Sequence, residues 1–225
     1  MERFGLRIAR KMVQQLADEH LKKNNPLGWF EDVYASAGGN ELIIPWASLS
    51  PNSFMRDWLD EHPFPRGRKA LVIGCGLGDD AEDLSRRGFL VTAFDISPTA
   101  IQWSQERFTK TRVSYEVVDL FKAPPRWKRS FDFVWEAYTL QSLLSPLREE
   151  AIEIMARWVA PKGILLAVTR GKDIHEFPQG PPWPLTQQQM DLFSQAGLKN
   201  MEFKDFKDPE RPTIRRFLGC YQNKD

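Results

Sequence analysis

Apolar residues recur at three- and four-residue spacing near the start of the chain. Ile8, Met12, Val13, Leu16 and His20 follow this spacing, with lysine and arginine residues among them. Such a period is typical of an amphipathic helix that buries one face. We predict a helix that packs on the rest of the protein, in preference to a helix that lies on a membrane surface.

A second helix is predicted over residues 29–37, because Gly38 and Gly39 follow directly and glycine commonly ends a helix. The apolar segment 42–46 comes next. Residues 1–66 thus form a leader that is rich in aromatic side chains, and we expect this leader to cover a ligand site.

From Lys69 onward, short apolar runs alternate with amphipathic segments. The pattern predicts strands over 70–73, 89–94, 114–118, 131–135 and 163–168, and helices over 80–87, 98–108 and 146–159. Strands that alternate with crossover helices form a parallel sheet with helices on both faces.

The end of the chain has a different pattern. A loop rich in proline and glycine is predicted over 177–184, a helix over 186–196, and two strands over 199–206 and 213–221. These two strands can close the sheet as an antiparallel hairpin. The predicted fold class is therefore α/β, with a doubly wound, mainly parallel seven-stranded sheet, a C-terminal antiparallel hairpin and an N-terminal helical cover.

Length and composition favour one domain over two. The chain has 225 residues, of which 42% are hydrophobic, and these can bury one large core. We therefore interpret residues 1–225 as a single domain, in which the leader precedes a core over 67–225.

The charges of the chain nearly cancel. Lysine and arginine total 31 against 30 for aspartate and glutamate, which gives a formal net charge of +1. The basic clusters over 66–69 and 126–129 are interpreted as solvated loop charges, since neither lies in a nucleic-acid-binding motif. We expect no nucleic-acid partner.

Cys75 and Cys220 are too few for a disulfide framework and lack the paired spacing of a zinc site. Residues 1–23 mix charged and apolar positions, without the continuous apolar run of a signal peptide or membrane span. We expect a cytoplasmic protein with no membrane partner, present as a monomer or weak homodimer.

A glycine-rich loop carries the clearest chemical signal. Gly74, Gly76 and Gly78 directly follow a predicted buried strand and precede a helix. Glycine lets the backbone turn sharply and approach a ligand closely, because no side chain intervenes. Asp79 stands where a dinucleotide fingerprint has its third glycine, and Asp79 and Asp80 would repel a pyrophosphate at the helix N-terminus. The loop therefore favours a zwitterionic or cationic ligand.

Acidic residues end the next two predicted strands. Asp95 stands where the sugar-binding acid of a nucleotide-binding α/β unit belongs, and a carboxylate there can accept hydrogen bonds from both ribose hydroxyls. Asp119 closes the following strand, and Leu120 and Phe121 beside it can form an apolar wall for an adenine. Strand, glycine loop and acid occur in the order that a nucleoside site requires.

The run GCGLGDDAEDLSRRGFLVTAFDIS over 74–97 resembles class I S-adenosylmethionine-dependent methyltransferases in its glycine loop, the following helix and the Asp-Ile-Ser strand end. It is most similar to the branch that contains thiopurine, thiol and halide methyltransferases. Trp29 and the segment IPWA over 44–47 resemble the N-terminal tryptophan and the Pro-Trp-Asp element of that branch, with Ala47 in place of the acid. The resemblance extends over most of the chain and implies a Rossmann-like sheet.

The resemblance also implies S-adenosylmethionine as cofactor, with S-adenosylhomocysteine as its product. The glycine loop would pass under the methionine part, Asp95 would hold the ribose, and the two leader tryptophans would pack over the cofactor. The cofactor-binding residues that it implies are Trp29, Trp46, Gly74, Cys75, Gly76, Gly78, Asp79, Asp95, Ile96, Val118, Asp119, Leu120 and Glu136.

Methyl transfer from an activated donor chiefly requires orientation, which can supply on the order of 7 to 11 kcal/mol. We therefore expect direct in-line displacement to a small-molecule acceptor, with neither a covalent intermediate nor an essential metal. Glu136 and Tyr138, near the end of a predicted strand, are the candidate catalytic residues that would touch the acceptor. Thiols and other soft anions need little help from a base, so a thiol is a leading candidate beside metabolite and natural-product acceptors.

Three further interpretations concern His175, Trp183 and Cys75. His175 and Trp183 could belong to a mobile loop that covers the acceptor, and Cys75 is expected to pack beneath the cofactor. Two other functions stay open from the sequence: a nicotinamide-dependent oxidoreductase, which shares the strand, glycine and acid layout, and a non-catalytic domain that binds S-adenosylmethionine.

Overall fold

The structure is a computed structural model that describes residues 2–225, with side chains described from Ile8 onward. Its helices are α1 Glu2–Lys22, α2 Trp29–Ala37, α3 Ser53–Glu61, α4 Asp79–Arg87, α5 Pro98–Arg107, α6 Leu147–Trp158, α7 Gln187–Met190 and α8 Leu192–Gln195. Its strands are β1 Lys69–Ile73, β2 Leu90–Asp95, β3 Ser114–Val117, β4 Phe131–Ala137, β5 Val159–Arg170, β6 Leu198–Lys207 and β7 Arg215–Asn223.

These strands form a seven-stranded sheet in the order β3-β2-β1-β4-β5-β7-β6. The strands β1 to β5 pair in parallel, whereas β7 lies antiparallel to both β5 and β6. The predicted fold class is confirmed, including the C-terminal hairpin and the helical leader. Because the parallel strands all run the same way, their carboxyl ends meet along one edge of the sheet, where ligands bind in such folds.

Side chains of the central strands alternate between two apolar layers. Leu71 and Ile73 of β1 pack with buried residues of α6 and α8, whereas Ala70 and Val72 pack with buried residues of α3 and α4. Both faces of the sheet are therefore covered, as expected for parallel strands with continuous apolar sequences.

The leader has its own cluster, in which α1 and α2 pack against the start of α5 and the glycine loop. The predicted apolar face of α1 is partly wrong. Val13 is buried as expected, but Ile8 is 55% exposed, and Ala9 and Ala17 are buried instead. Alanine brings little bulk, so the buried face of α1 runs along its small residues.

Three element predictions differ from the structure. The helix α3 is not among the predicted elements, although Asn52 caps it by accepting a hydrogen bond from the Phe54 N–H at 3.0 Å. The strand predicted over 163–168 extends to the full β5, so the preceding helix ends at Trp158. The helix predicted over 186–196 is divided at Asp191 into α7 and α8.

The described residues contain neither a membrane-spanning helix nor a cluster of metal-ligating side chains. No helix combines the length and apolar character that a bilayer crossing requires. In the same part of the chain, no three histidine, cysteine, aspartate or glutamate residues gather as metal ligands would.

Candidate active site

A cavity of about 440 Å³ lies at the carboxyl ends of β1, β2 and β4. Its walls include the glycine loop after β1, Asp95 at the end of β2 and the residues that follow β4. The leader supplies one side, and residues of β5 and β7 supply the far end. A second cavity of about 800 Å³ is lined by residues such as His62, Asp132 and Gly163, and none of the predicted site residues lines it.

The three loop glycines have different surroundings. Gly74 and Gly76 line the cavity, but Gly78 does not. A Cβ on Gly76 would come within 3.1 Å of the Tyr34 hydroxyl, so the bare backbone leaves room between the loop and the leader. A Cβ on Gly78 would run into the hydroxyl of Tyr115 on β3. Gly78 is therefore needed for packing against β3, and its contact with the cofactor stays a prediction.

Asp95 is 7% exposed and is fixed by two backbone groups. The Gly76 N–H donates to its Oδ2 at 3.0 Å, and the Ser97 N–H donates to its Oδ1 at 2.9 Å. Burial raises the pKa of Asp95, and the hydrogen bonds from Ser97 and Gly76 oppose that rise. Each carboxylate oxygen can accept a second hydrogen bond, so Asp95 can receive a pair of neighbouring hydroxyls from the cavity, and Ile96 lies beside it in the wall.

Aromatic side chains of the leader form the wall opposite the loop. Trp29 is buried and donates its indole N–H to the Pro26 carbonyl at 2.9 Å. Trp46 donates its indole N–H to the Tyr34 hydroxyl at 2.8 Å, and these two rings meet edge to face. Trp29, Tyr34 and Trp46 all line the cavity, as predicted for the two tryptophans. Aromatic faces of this kind attract a cation by roughly 0.5 to 2 kcal/mol.

Glu31 of α2 joins the leader to the segment that follows β2. Its Oε2 accepts hydrogen bonds from the Ser97 hydroxyl at 2.6 Å and from the Thr99 N–H at 3.2 Å. Its Oε1 accepts a hydrogen bond from the Thr99 hydroxyl at 2.6 Å. The backbone of Ser97 also holds Asp95, so the leader and the carboxylate share one hydrogen-bond network.

Asp79 and Asp80 lie in the cavity wall with different partners. Asp79 pairs with both terminal nitrogens of Arg107, at 2.9 and 3.0 Å, so its charge is compensated. Asp80 accepts hydrogen bonds from the Asn52 N–H and from the Trp135 indole N–H, both at 2.7 Å. Burial raises the pKa of Asp80 to about 6 against these hydrogen bonds. Asp80 alone therefore supplies the uncompensated negative charge predicted for the pair.

Residues after β3 form an apolar part of the wall. Val118, Leu120 and Phe121 line the cavity, as expected for an adenine-binding surface. Asp119 does not line it: its carboxylate accepts a hydrogen bond from the Phe121 N–H at 3.0 Å and pairs with Lys122. The side chain caps the turn that follows β3, and binding of the cofactor by Asp119 stays a prediction.

Glu136 is fully buried and does not line the cavity. Its Oε1 accepts a hydrogen bond from the Leu140 N–H at 2.9 Å, while Oε2 has no partner among the described residues. Burial raises the pKa of Glu136 to about 7. Trp135 and Ala137 line the cavity and Glu136 between them does not, so the contacts of Glu136 with the acceptor and the cofactor stay predictions.

We expect the Glu136→Gln variant to lose much of the pH dependence of stability. The folded chain holds the Glu136 proton more tightly than the unfolded chain, so its contribution to stability falls as pH rises from about 4.5 to about 7. Glutamine keeps the acceptor for Leu140 and removes the buried charge, so it should stabilise the fold by roughly 1 to 3 kcal/mol at pH 8 and little at pH 5. Urea unfolding at both pH values measures this difference. Exposed Glu150→Gln is the matched control, and an equal response of both variants would contradict the assignment.

Tyr138 lies in the cavity wall directly after β4. Its backbone has a φ of 66°, a left-handed conformation that is uncommon for a bulky residue and is often found at functional sites. The Arg216 guanidinium lies 4.7 Å from the centre of its ring. Burial raises the pKa of Tyr138, so at neutral pH its phenol is protonated and can donate a hydrogen bond.

The loop that was predicted to cover the acceptor lines the cavity, but through residues other than His175 and Trp183. Pro181 and Pro182 line the cavity, whereas His175 and Trp183 do not. The Trp183 N–H donates to the Gln141 carbonyl at 2.6 Å, which fixes this loop beside the residues that follow β4. Cys75 lines the cavity, and burial raises its pKa well above the usual value, so its thiol is protonated and suited to packing.

Several wall residues were not predicted. Tyr34 and Asn52 come from the leader, Gln141 follows β4, and Arg170 and Arg216 come from β5 and β7. The period of α2 could have indicated Tyr34 as an inward position. The two arginines are far apart in sequence and are brought together by the antiparallel pairing of β5 with β7.

Comparisons with known proteins agree with this geometry. A family model described as a methyltransferase domain matches residues 70–163. A probable thiol methyltransferase 2 of Arabidopsis thaliana is 27% identical over 191 residues, which are 83% of this chain and 79% of the relative. A thiopurine S-methyltransferase of Aliivibrio fischeri is 24% identical over 229 residues, which are 94% of this chain and 92% of the relative.

The solved N-methyltransferase NodS of Bradyrhizobium japonicum WM9, in complex with S-adenosyl-L-homocysteine, has a similar fold. Its TM-score is 0.65 at 18% identity, and the alignment covers 87% of this chain and 98% of that chain. Together these likenesses support S-adenosylmethionine-dependent methyl transfer to a small molecule, and neither the nicotinamide-dependent nor the non-catalytic alternative is retained. A bare glycine floor, a diol-accepting carboxylate, an apolar wall and an aromatic cover fit that cofactor. These likenesses support a class I S-adenosylmethionine-dependent methyltransferase.

Proposed function

We propose that the protein methylates a small molecule at a thiol or another soft nucleophile, by direct in-line displacement. S-adenosylmethionine supplies a methyl group bound to a positively charged sulfur. In this proposal, Gly74 and Gly76 make the floor of its site, Asp95 holds the ribose, and Val118 and Leu120 flank the adenine. Ile96, Cys75 and Asp79 complete that half of the wall, and Trp29 and Trp46 exclude water from above.

The observation that carries this proposal is the chemistry of the remaining wall. None of the chain's histidines, all within the described residues, lines the cavity, and the Cys75 thiol there is protonated because of burial. The wall thus offers no paired nucleophile and base of the kind that covalent catalysis uses. An acceptor that loses its proton easily needs neither group, and a thiol meets this condition better than an alcohol or amine.

We propose that the side chain of Tyr138 positions the acceptor. Its protonated phenol can donate a hydrogen bond to a thiolate, and its partly buried ring packs against Arg216. Holding the nucleophile in this way provides orientation, which is the main requirement for transfer from an activated donor. The names of the thiol and thiopurine relatives support the same choice of acceptor.

Labelled S-adenosylmethionine, incubated with the protein and matched thiols, halides, phenols and amines, tests the acceptor. We expect thiols to be labelled fastest, with a rate that rises with pH as the thiolate forms. A donor with a chiral methyl group tests the displacement, which should invert the configuration. Labelling of phenols or amines alone would overturn the thiol assignment, and retention of configuration would overturn direct transfer.

A further inference from the structure

Four arginine side chains line the far end of the cavity. Arg10 comes from α1, Arg170 from the end of β5, Arg211 from the loop between β6 and β7, and Arg216 from β7. The acidic residues of the described wall are Asp79 and Asp80 at the start of α4 and Asp95 at the end of β2. The cavity therefore has one end with carboxylates and another end with guanidinium groups, and the proposed cofactor occupies the first.

Arg170 and Arg216 stand directly opposite each other on β5 and β7. Like charges at directly opposed positions of an antiparallel pair destabilise the sheet. Arg216 is compensated, because its Nε and Nη2 both lie 2.8 Å from the Asp208 carboxylate and both side chains are almost completely buried. The loop after β6 thus provides a carboxylate for one member of the opposed pair.

Arg170 has no such partner among the described residues. Its Nε is buried without a hydrogen-bond acceptor, and the cations acting on it are Arg216, Arg10 and Arg211. Burial, followed by the repulsion from these arginines, lowers the pKa of Arg170 to about 10. A buried donor that is left unpaired carries a free-energy cost, and that cost is largest for charged groups. An anion that enters the cavity would remove it.

The shape of the Arg170 guanidinium group also indicates which kind of anion it would bind. Its planar donors match a carboxylate in a two-point arrangement, whereas a halide or a lone thiolate offers a single acceptor atom. The pairing of Arg216 with Asp208 shows that this end of the sheet accommodates a carboxylate against an arginine. Tyr138 lies between this end and the cofactor side, because its ring contacts Arg216 and its backbone follows β4.

We propose that the methyl acceptor carries a carboxylate, separate from its nucleophile, and that Arg170 binds this carboxylate at the far end of the cavity. Arg211, which is exposed, and Arg10 attract the anion toward the opening. The carboxylate would anchor the acceptor while Tyr138 holds the nucleophile toward the cofactor. This inference rests on the proposed function, since it describes the acceptor of that same site.

Binding of propionate to protein saturated with S-adenosylhomocysteine tests the anchor without turnover. We expect calorimetry to show binding by the wild type and about a tenfold or greater loss of affinity in Arg170→Gln. Arg170→Lys should fall between the two, because it keeps the charge and loses the planar group. Arg157→Gln is the matched control, since Arg157 is an exposed arginine of α6 whose Nη2 lies 2.8 Å from Glu153.

Turnover with a charge series provides the second measurement. We expect kcat/KM for 3-mercaptopropionate to exceed that for propanethiol and cysteamine by about tenfold, although cysteamine has the most acidic thiol of the three. In Arg170→Gln this preference should disappear while S-adenosylhomocysteine still binds.

Three outcomes separate the two proposals. If S-adenosylhomocysteine binds, propionate gives no heat and the neutral thiol reacts best, the carboxylate anchor is wrong and the thiol function stands. If propionate binds through Arg170 but no thiol is methylated, the anchor stands and the choice of nucleophile is wrong. If the methyl group is found on the carboxylate oxygen, the carboxylate is the nucleophile and the anchor is wrong.

Discussion

Asp95→Asn is expected to weaken binding of S-adenosylhomocysteine about 30- to 100-fold, which corresponds to roughly 2 to 3 kcal/mol. Asparagine has the same shape but one acceptor oxygen, whereas the carboxylate accepts from Gly76 and Ser97 on different oxygens. The amide nitrogen must then face either a backbone N–H or a ribose hydroxyl, and the accepting capacity for the diol is reduced. Titration calorimetry of the purified variant measures the loss.

Asp119→Asn is the matched control for Asp95→Asn. It makes the same chemical change at the end of the neighbouring strand, but the Asp119 carboxylate caps a turn outside the cavity wall. We expect an affinity within about twofold of the wild type. Comparable losses in both variants would mean that the cofactor reaches both acids, contrary to the geometry described.

Gly76→Ala is expected to reduce the affinity for S-adenosylhomocysteine by about tenfold to a hundredfold. The new methyl group would lie 3.1 Å from the Tyr34 hydroxyl and fill the space between the loop and the leader. Overpacking of this kind typically costs about 1 to 3 kcal/mol. The affinity for the cofactor product and the thermal midpoint of unfolding should be measured on the same preparation.

Gly38→Ala separates backbone strain from steric filling. Gly38 has a φ of 56°, close to the 53° of Gly76, and nothing lies within 4 Å of the Cβ that alanine would add. Both variants should lose about 1 to 2 kcal/mol of stability because both place alanine in the left-handed region, and Gly76→Ala should lose the overpacking cost in addition. If Gly38→Ala weakens cofactor binding as much as Gly76→Ala does, the argument from the cavity floor fails.

The fold could be predicted from the sequence because the residues that indicate each element are close together in the chain. The buried strand, the glycines and the helix after them stand next to one another in sequence, and α2 ends at Gly38 as predicted. By contrast, α3 was overlooked although Met55, Trp58 and Leu59 have helical spacing. Its nine residues lie in the leader, which was interpreted only as a cover over the ligand site.

For the site, the sequence indicated chain segments better than individual residues, and the reason is geometric. Side chains of an extended segment alternate between two faces, so an error of one position selects the wrong neighbour. Trp135 and Ala137 line the cavity while Glu136 between them does not, and Val118 and Leu120 line it while Asp119 does not. The sequence identified the correct chain segments but could not distinguish their two faces.

No local sequence pattern could predict the arginine residues at the far end of the cavity. Arg170 and Arg216 are neighbours only because β7 enters the sheet antiparallel to β5, with one particular register. Register is set by packing along the whole strand and by the connecting loop, and neither is visible in the residues around each arginine.

The hydrogen bonds of Glu31 have a consequence for the timing of the catalytic cycle. Because they join α2 to the segment that holds Asp95, we expect the aromatic cover to lift before the nucleoside product of the proposed reaction leaves. Product release would then set the pace of turnover, as it does in many enzymes with a closing segment. Backbone amides of α2 should accordingly exchange their hydrogens with solvent more slowly while the nucleoside is bound.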